Sequence, residues 1–381
     1  MSEKIRIGIV GASLGSFIGP VHLMAARLDN EFELVCGAFS RDAARSKAAG
    51  QAYRLSPERS YDSFEAMFAC EKARPGDGME CVIIATPNDS HFGIAMHGLE
   101  CGLHVLSDKP ATRTLGEAKI LMATLRDSDR IYGLTYTYSG YPSVREARAI
   151  CRSGRLGPIR KVLVEYLQGW LSLPIEKDGN PQAAWRTDAA QAGPGGCVAD
   201  IGVHALHLLE FVTDCKVARL RAEVSTIVRD RNLPDDFNAL LRLDNGARGM
   251  ISASQVAAGM GNTLRIRVYG DLGGLDWDQE NPQFLTLRWP GARAEVLTAG
   301  TNNPALTDAG RLASRLPVGH PEGYLEALGN IYRDFAVSIR TKRHVDTLPS
   351  IADGVRGMQF IDSVLHSAAA DSLWIDMTAP N

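Results

Sequence analysis

The stretch IRIGIVGASLGSFIGP, residues 5–20, carries an apolar run to Val10, bends through a glycine-rich turn and enters a helical pattern near Val21. A strand, a turn and a helix in that order let a dinucleotide pyrophosphate sit against backbone N–H groups at a helix N-terminus. The glycines depart from the G-x-G-x-x-G order. Gly11 takes the first place, Ser13 holds the second, where the backbone must approach a phosphate, and Gly15 and Gly19 describe a longer turn. A plain strand-to-helix turn is the alternative reading of these residues alone.

Further apolar runs follow at 32–39, 80–87, 104–107 and 131–138, separated by helical patterns at 21–28, 90–101 and 115–126. Continuous apolar runs of this length predict strands buried on both faces, in a parallel sheet with right-handed helical crossovers. The expected fold class is an α/β Rossmann domain over 1–133, with its ligand crevice at the carboxyl ends of the strands. Residues 134–381 read differently. Helices at 143–151 and 201–212 and strands at 159–166, 218–228, 238–243, 249–256, 264–269 and 284–287 predict an α+β domain with a mostly antiparallel open sheet. Asp244-Asn245-Gly246 marks a tight hairpin. Residues 300–323 read as a long loop, and two helices, 324–339 and 351–369, follow it.

The whole chain, 381 residues with 45% hydrophobic and 22% charged, suits two globular domains. Its net charge of -3 comes from interspersed charges, which is neither a nucleic-acid footprint nor a polybasic membrane patch. There is no apolar run of membrane-spanning length, and Met1-Ser2-Glu3-Lys4 leads straight into a strand without room for a signal peptide. A cytoplasmic location is expected. The seven cysteines are scattered without a Cys-x-x-Cys pair, so a disulfide framework and a metal cluster are not expected. Cys197 is the one expected near chemistry.

Where a carboxylate for the ribose 2′-OH usually stands, the second strand ends on Phe39, followed by Ser40 and Arg41. Arg41 reads as a 2′-phosphate contact, an adenine stack or a solvated side chain. Ser107-Asp108-Lys109-Pro110 leaves the fourth strand at the crevice edge. Downstream, Gly195-Gly196 leads to Asp200, His204 and His207. On a helix, Asp200 and His204 share a face and His207 lies close to it. A carboxylate beside imidazoles suits proton transfer near neutral pH. A polar helix face at a domain interface is the alternative.

Together these motifs, with Thr86-Pro87-Asn88 and His91, resemble the Gfo/Idh/MocA oxidoreductases over essentially the whole chain. Asp108-Lys109-Pro110 stands in place of the family's usual Glu-Lys-Pro. The resemblance implies NAD or NADP as cofactor, with a lean to NAD, and a sugar or polyol as the small-molecule partner. It also implies a homo-oligomer formed through the second sheet. It assigns cofactor contacts to Gly11, Ser13, Gly15, Phe17, Ile18, Ser40, Arg41, Thr86, Asn88, His91, Asp108 and Lys109. Lys109 is implied to bind the reacting hydroxyl, His204 to be the general base, and Asp200 to hold substrate and orient His204. Tyr138, Trp170, Trp185, Arg186 and His207 are the further expected substrate contacts. His207 stands where many members have Asp or Asn. The turn extension, Gln168-Gly169-Trp170 and Trp185 to Asp188 are similar to a branch that contains levoglucosan dehydrogenase.

The expected activity is hydride transfer between a nicotinamide and a secondary alcohol or ketone of a sugar, anhydrosugar, glycoside or cyclic polyol. Two alternatives keep the dinucleotide. One is a redox-assisted hydrolase or lyase that recycles its nicotinamide, which net NADH formation would exclude. The other is a non-catalytic regulator, which would need neither Lys109, Asp200 nor His204.

Overall fold

The computed structural model describes residues 3–378; Met1 and Ser2 lie outside them. The chain divides into two compact units: one runs up to Tyr136 and includes Leu328–Val355, and the other comprises Thr137–Ala327 and the chain from Arg356 on.

In the first unit five parallel strands take the order β2-β1-β3-β4-β5: β1 Ile5–Gly11, β2 Phe32–Ala38, β3 Cys81–Ala85, β4 His104–Ser107 and β5 Tyr132–Leu134. The order reverses between β1 and β3, a switch point where a doubly wound sheet opens a crevice. All of β3 is buried, as its unbroken apolar run predicts. The helices are α1 Ile18–Leu28, α2 Ala43–Ala52, α3 Phe64–Lys72, α4 His91–Glu100 and α5 Leu115–Arg126. Of these, α2 and α3 have no counterpart among the expected helices. The expected division assigns all of 134–381 to the second body, yet 328–355 groups with the first. The physical reason is aromatic packing, with Tyr332 edge-on to Phe32 and Phe335 stacked on it at 6.2 Å.

The second unit is built on a nine-stranded sheet. Its strands are β6 Ile159–Leu167, β7 Val217–Ser225, β8 Asp236–Leu243, β9 Arg248–Ser254, β10 Thr263–Gly270, β11 Gly274–Asp278, β12 Phe284–Arg288, β13 Glu295–Thr298 and β14 Ile375–Asp376. The order is β13-β12-β11-β10-β6-β9-β8-β7-β14, antiparallel throughout except for the central pair β6 and β9. Strands β8 and β9 are joined by the predicted hairpin, with Gly246 in the left-handed region at φ +86. Alternate residues such as Val162, Val164 and Tyr166 of β6 point into the core, the period-2 pattern of a sheet covered on one face.

Helices α6 Pro142–Arg152, α7 Pro181–Arg186, α8 Ala189–Ala192 and α9 Val203–Thr213 also belong to this unit. Every residue of α9 is buried, Glu210 included, and that carboxylate is met by Arg356 at 2.6 Å and Lys216 at 3.0 Å. The expected loop over 300–323 contains a short helix, α10 Asp308–Ala313; Gly310 admits the Glu146 side chain, which accepts from Thr307 N at 2.9 Å. Helices α11 Tyr324–Thr341 and α12 Ile351–Ala369 follow. Among the described residues no helix is long and apolar enough to cross a membrane.

Candidate active site

In the first unit, the turn after β1 is shaped by close approach. Gly11 has φ +96, and a Cβ there would lie 2.4 Å from the Ala85 carbonyl oxygen of β3. A Cβ on Gly19 would meet Ala12 at 2.2 Å, so the first turn of α1 packs directly on the loop. Helix α1 begins at Ile18, earlier than expected, because Phe17 already takes helical angles. No side chain caps α1 and its first turn has no acidic residue. Ser16 Oγ is buried without a partner, and nothing lies within 4 Å of a Cβ built on Gly15. A helix N-terminus without a carboxylate, an orphaned hydroxyl and open space at Gly15 fit a dinucleotide pyrophosphate. Ser13, Gly15, Phe17 and Ile18 are the residues that would hold it.

Phe39 directly follows the last residue of β2, and its side chain turns inward. It is 1% exposed and packs against Tyr53 at 5.2 Å, because Gly37 and Gly50 leave it room to turn inward. Ser40 Oγ accepts from Asp42 N at 3.1 Å, and Asp42 in turn caps α2. Arg41 is 86% exposed, its guanidinium 3.6 Å from Asp89.

His91 is fully buried and braces the strand ends. Its ring nitrogens face the carbonyl oxygens of Pro110 at 2.8 Å and Thr86 at 2.9 Å, so its influence on a ligand passes through those two segments. Asn88, also buried, starts a short 3-10 turn over Asn88–Ser90, and Thr86 Oγ1 accepts from Ser90. Asp108 Oδ1 takes hydrogen bonds from Lys109 N at 2.8 Å and Thr135 Oγ1 at 2.9 Å, which fixes the segment bearing Lys109. The Lys109–Pro110 peptide is cis.

In the second unit, the helix carrying Asp200 and His204 is not a regular α-helix at this point. Val198–Gly202 forms a π turn that leads into α9, so the expected four-residue α spacing is widened. Such single π turns recur at functional sites. The glycines before it serve the backbone: a Cβ on Gly196 would lie 2.2 Å from the Pro234 carbonyl oxygen. Cys197 is fully buried and burial pushes its thiol well above the ordinary range, which removes it as a nucleophile.

Asp200 Oδ2 accepts from Arg186 Nε at 3.1 Å and from Gln255 Nε2 at 2.8 Å. The guanidinium of Arg186 also lies 4.1 Å from the Trp185 ring and 5.6 Å from the Trp170 ring. Trp170 and Trp185, both among the expected substrate contacts, therefore flank a cation that holds the carboxylate. His204 is 7% exposed, 4.9 Å from the Tyr138 ring at 85° and 6.3 Å from that of Tyr166. Burial holds both phenols well above their ordinary range, so neither serves as a base near neutral pH. His207 stacks on Phe211 at 5.7 Å, and Arg148 lies over the same ring at 4.2 Å. Gln255 is absent from the expected site. It follows β9 with no motif around it, and only the assembled sheet brings it to Asp200.

A family model described as an oxidoreductase family with an NAD-binding Rossmann fold matches residues 5–136, and the GFO/IDH/MocA C-terminal domain matches residues 144–276. The uncharacterized oxidoreductase YfiI of Bacillus subtilis is 32% identical over 99% of this chain and 98% of its own. The levoglucosan dehydrogenase of Pseudarthrobacter phenanthrenivorans is 25% identical over 98% of each. Among solved structures, an inositol dehydrogenase homolog from Azotobacter vinelandii complexed with NAD+ is 35% identical with a TM-score of 0.94, and its complex with NADH and myo-inositol is 34% identical with a TM-score of 0.91. Each covers 98% of both chains.

Proposed function

Because the chain belongs to the GFO/IDH/MocA oxidoreductase family, we propose that it oxidises a secondary alcohol of a cyclic polyol or pyranose sugar, or reduces the corresponding ketone, with NAD as the preferred cofactor. The observation that carries this reading is the setting of Asp200 and His204. A carboxylate pinned by Arg186 and Gln255 stands one widened turn before a buried imidazole.

Bound nicotinamide supplies the hydride acceptor. Lys109 binds the reacting hydroxyl and favours the developing alkoxide. His204 takes the hydroxyl proton in oxidation and returns it in reduction. Asp200 receives neighbouring hydroxyls of the substrate and orients the base, while Arg186 and Gln255 keep its carboxylate in place. The turn from Gly11 to Ile18 receives the pyrophosphate. The similarity to an inositol dehydrogenase homolog and to a levoglucosan dehydrogenase supports a ring-shaped polyol as substrate. The preference for NAD rests on the levoglucosan dehydrogenase resemblance. Arg41, extended into solvent, is its test: losing it weakens NADP selectively if it contacts a 2′-phosphate.

The experiment is a spectrophotometric screen of inositols, pyranoses and anhydrosugars with NAD+ and NADP+. Steady NADH formation with a cyclic polyol or sugar is expected. No absorbance change with any of them would overturn the reading.

A further inference from the structure

The indole N–H of Trp170 sets the direction of every hydrogen bond in a polar cluster beside His204. An indole nitrogen only donates. It faces Gln168 at 3.0 Å, so that atom of the amide is the oxygen, Oε1. The other end of Gln168 is then the NH2, which donates to Asn262 at 2.6 Å, so the atom it meets is Asn262 Oδ1. Asn262 Nδ2 is therefore the donor to Tyr138 Oη, at 3.1 Å. Tyr166 gives its proton to Asn262 Oδ1 at 2.9 Å, which leaves Tyr138 to donate to Tyr166 across the short contact between the two hydroxyls. The result is a closed ring, Asn262 to Tyr138 to Tyr166 and back to Asn262, running one way only.

Both tyrosine protons are used inside the ring, so neither hydroxyl has one to offer an imidazole. What Tyr138 and Tyr166 present to His204 is aromatic surface. Reading His204 as the base, we infer that Asn262 is its positioning residue. It closes a one-way hydrogen-bond ring that packs two tyrosines against His204 while withholding their protons, and through Gln168 it joins them to Trp170. Trp170 flanks Arg186, which holds Asp200, so the base and the carboxylate share one scaffold. Asn262 touches no reacting atom in this scheme. Its amide is used because it donates and accepts at fixed positions, which an apolar residue of similar size cannot do.

The test compares wild type with Asn262→Leu, which conserves volume and removes both ends of the amide. His204 is followed in the full-length protein, without substrate, by NMR titration of its ring proton, identified by its loss in His204→Asn. The expected result is a midpoint moved by about half a pH unit or more. The limb of the kcat/KM profile should move with it, kcat/KM should fall about tenfold, and NADH affinity should be unaltered. Asn262→Ser, whose hydroxyl both donates and accepts, should recover part of the loss. If Asn262→Leu does not fold, Tyr166→Phe breaks the ring by removing one hydroxyl and carries the same expectation. A variant whose His204 resonance and pH limb match wild type would overturn the assignment. Failure of the proposed function shows separately, as a wild type that turns over no polyol while the titration still reports on the ring.

Discussion

Arg186 reaches Asp200 through Nε at 3.1 Å while its guanidinium lies against Trp185, so aromatic stacking and an ion pair hold one carboxylate. Arg186→Gln removes the charge and the planar stack together. A hydrogen bond to a charged group contributes about 1.5–3 kcal/mol, so kcat/KM for the polyol should fall about 10- to 100-fold, mostly through KM. NADH affinity, read by fluorescence titration, should be unchanged, because the turn proposed to receive the pyrophosphate belongs to the other unit.

Lys109 is assigned the developing alkoxide. Lys109→Met keeps the length of the side chain and deletes its charge, and kcat should fall by roughly two orders of magnitude or more. NADH binding should change far less. A variant with near-normal kcat would take Lys109 out of the mechanism.

With His204 proposed as the base, oxidation requires its imidazole to be neutral. kcat/KM should therefore rise with pH through one titration and then level, and His204→Asn should flatten that limb. His207 is the rival one turn later, but its ring is stacked on Phe211. His207→Asn should keep the limb. If it abolishes the limb while His204→Asn does not, the base is His207.

Burial, with the charge of Arg130 beside it, pushes His104 down to about 4, and His104 Nδ1 accepts from Ile131 N at 2.8 Å. In the unfolded chain a histidine titrates near 6.5, so between about pH 6.5 and 4 the unfolded state binds the extra proton. Stability should be fully present above that window and fall as pH drops through it, by about 1–2 kcal/mol once partial exposure is allowed for. The buried His22, also lowered, adds in the same direction. Urea midpoints at pH 7 and pH 5 check this. His104→Gln should be less stable at pH 7 but show a smaller difference between the two.

Residues that speak through their neighbours in sequence are legible from the chain alone. The unbroken run of β3, the Asp244-Asn245-Gly246 hairpin and Lys109 at the end of β4 all belong to that group. Helix α2 escapes such a reading because its short sequence, with Gly50 near the end, shows almost no apolar stripe; Asp42 at its N-cap is the usable signal. Strands β11 and β13 escape it because each offers only two apolar side chains of any size, Leu275 and Trp277 in one and Val296 and Leu297 in the other, too few to show a pattern. Gln255 and Asn262 lie at strand ends with no motif around them, and they reach Asp200 and Tyr138 only through sheet register. The inward turn of Phe39 escapes a local reading because it depends on Gly37 and Gly50, which leave space for its ring.

The parallel pair at the centre of the second sheet has a consequence for synthesis. Strand β6 is flanked by β9 and β10, both made much later, so no hairpin can shelter it as it leaves the ribosome. Until residues 248–254 and 263–270 have emerged, it carries two unsatisfied edges and an apolar face, the kind of segment that recruits other chains. A nascent chain stalled before residue 248 should be retained by chaperones, whereas one extended past residue 270 can bury β6 on both sides.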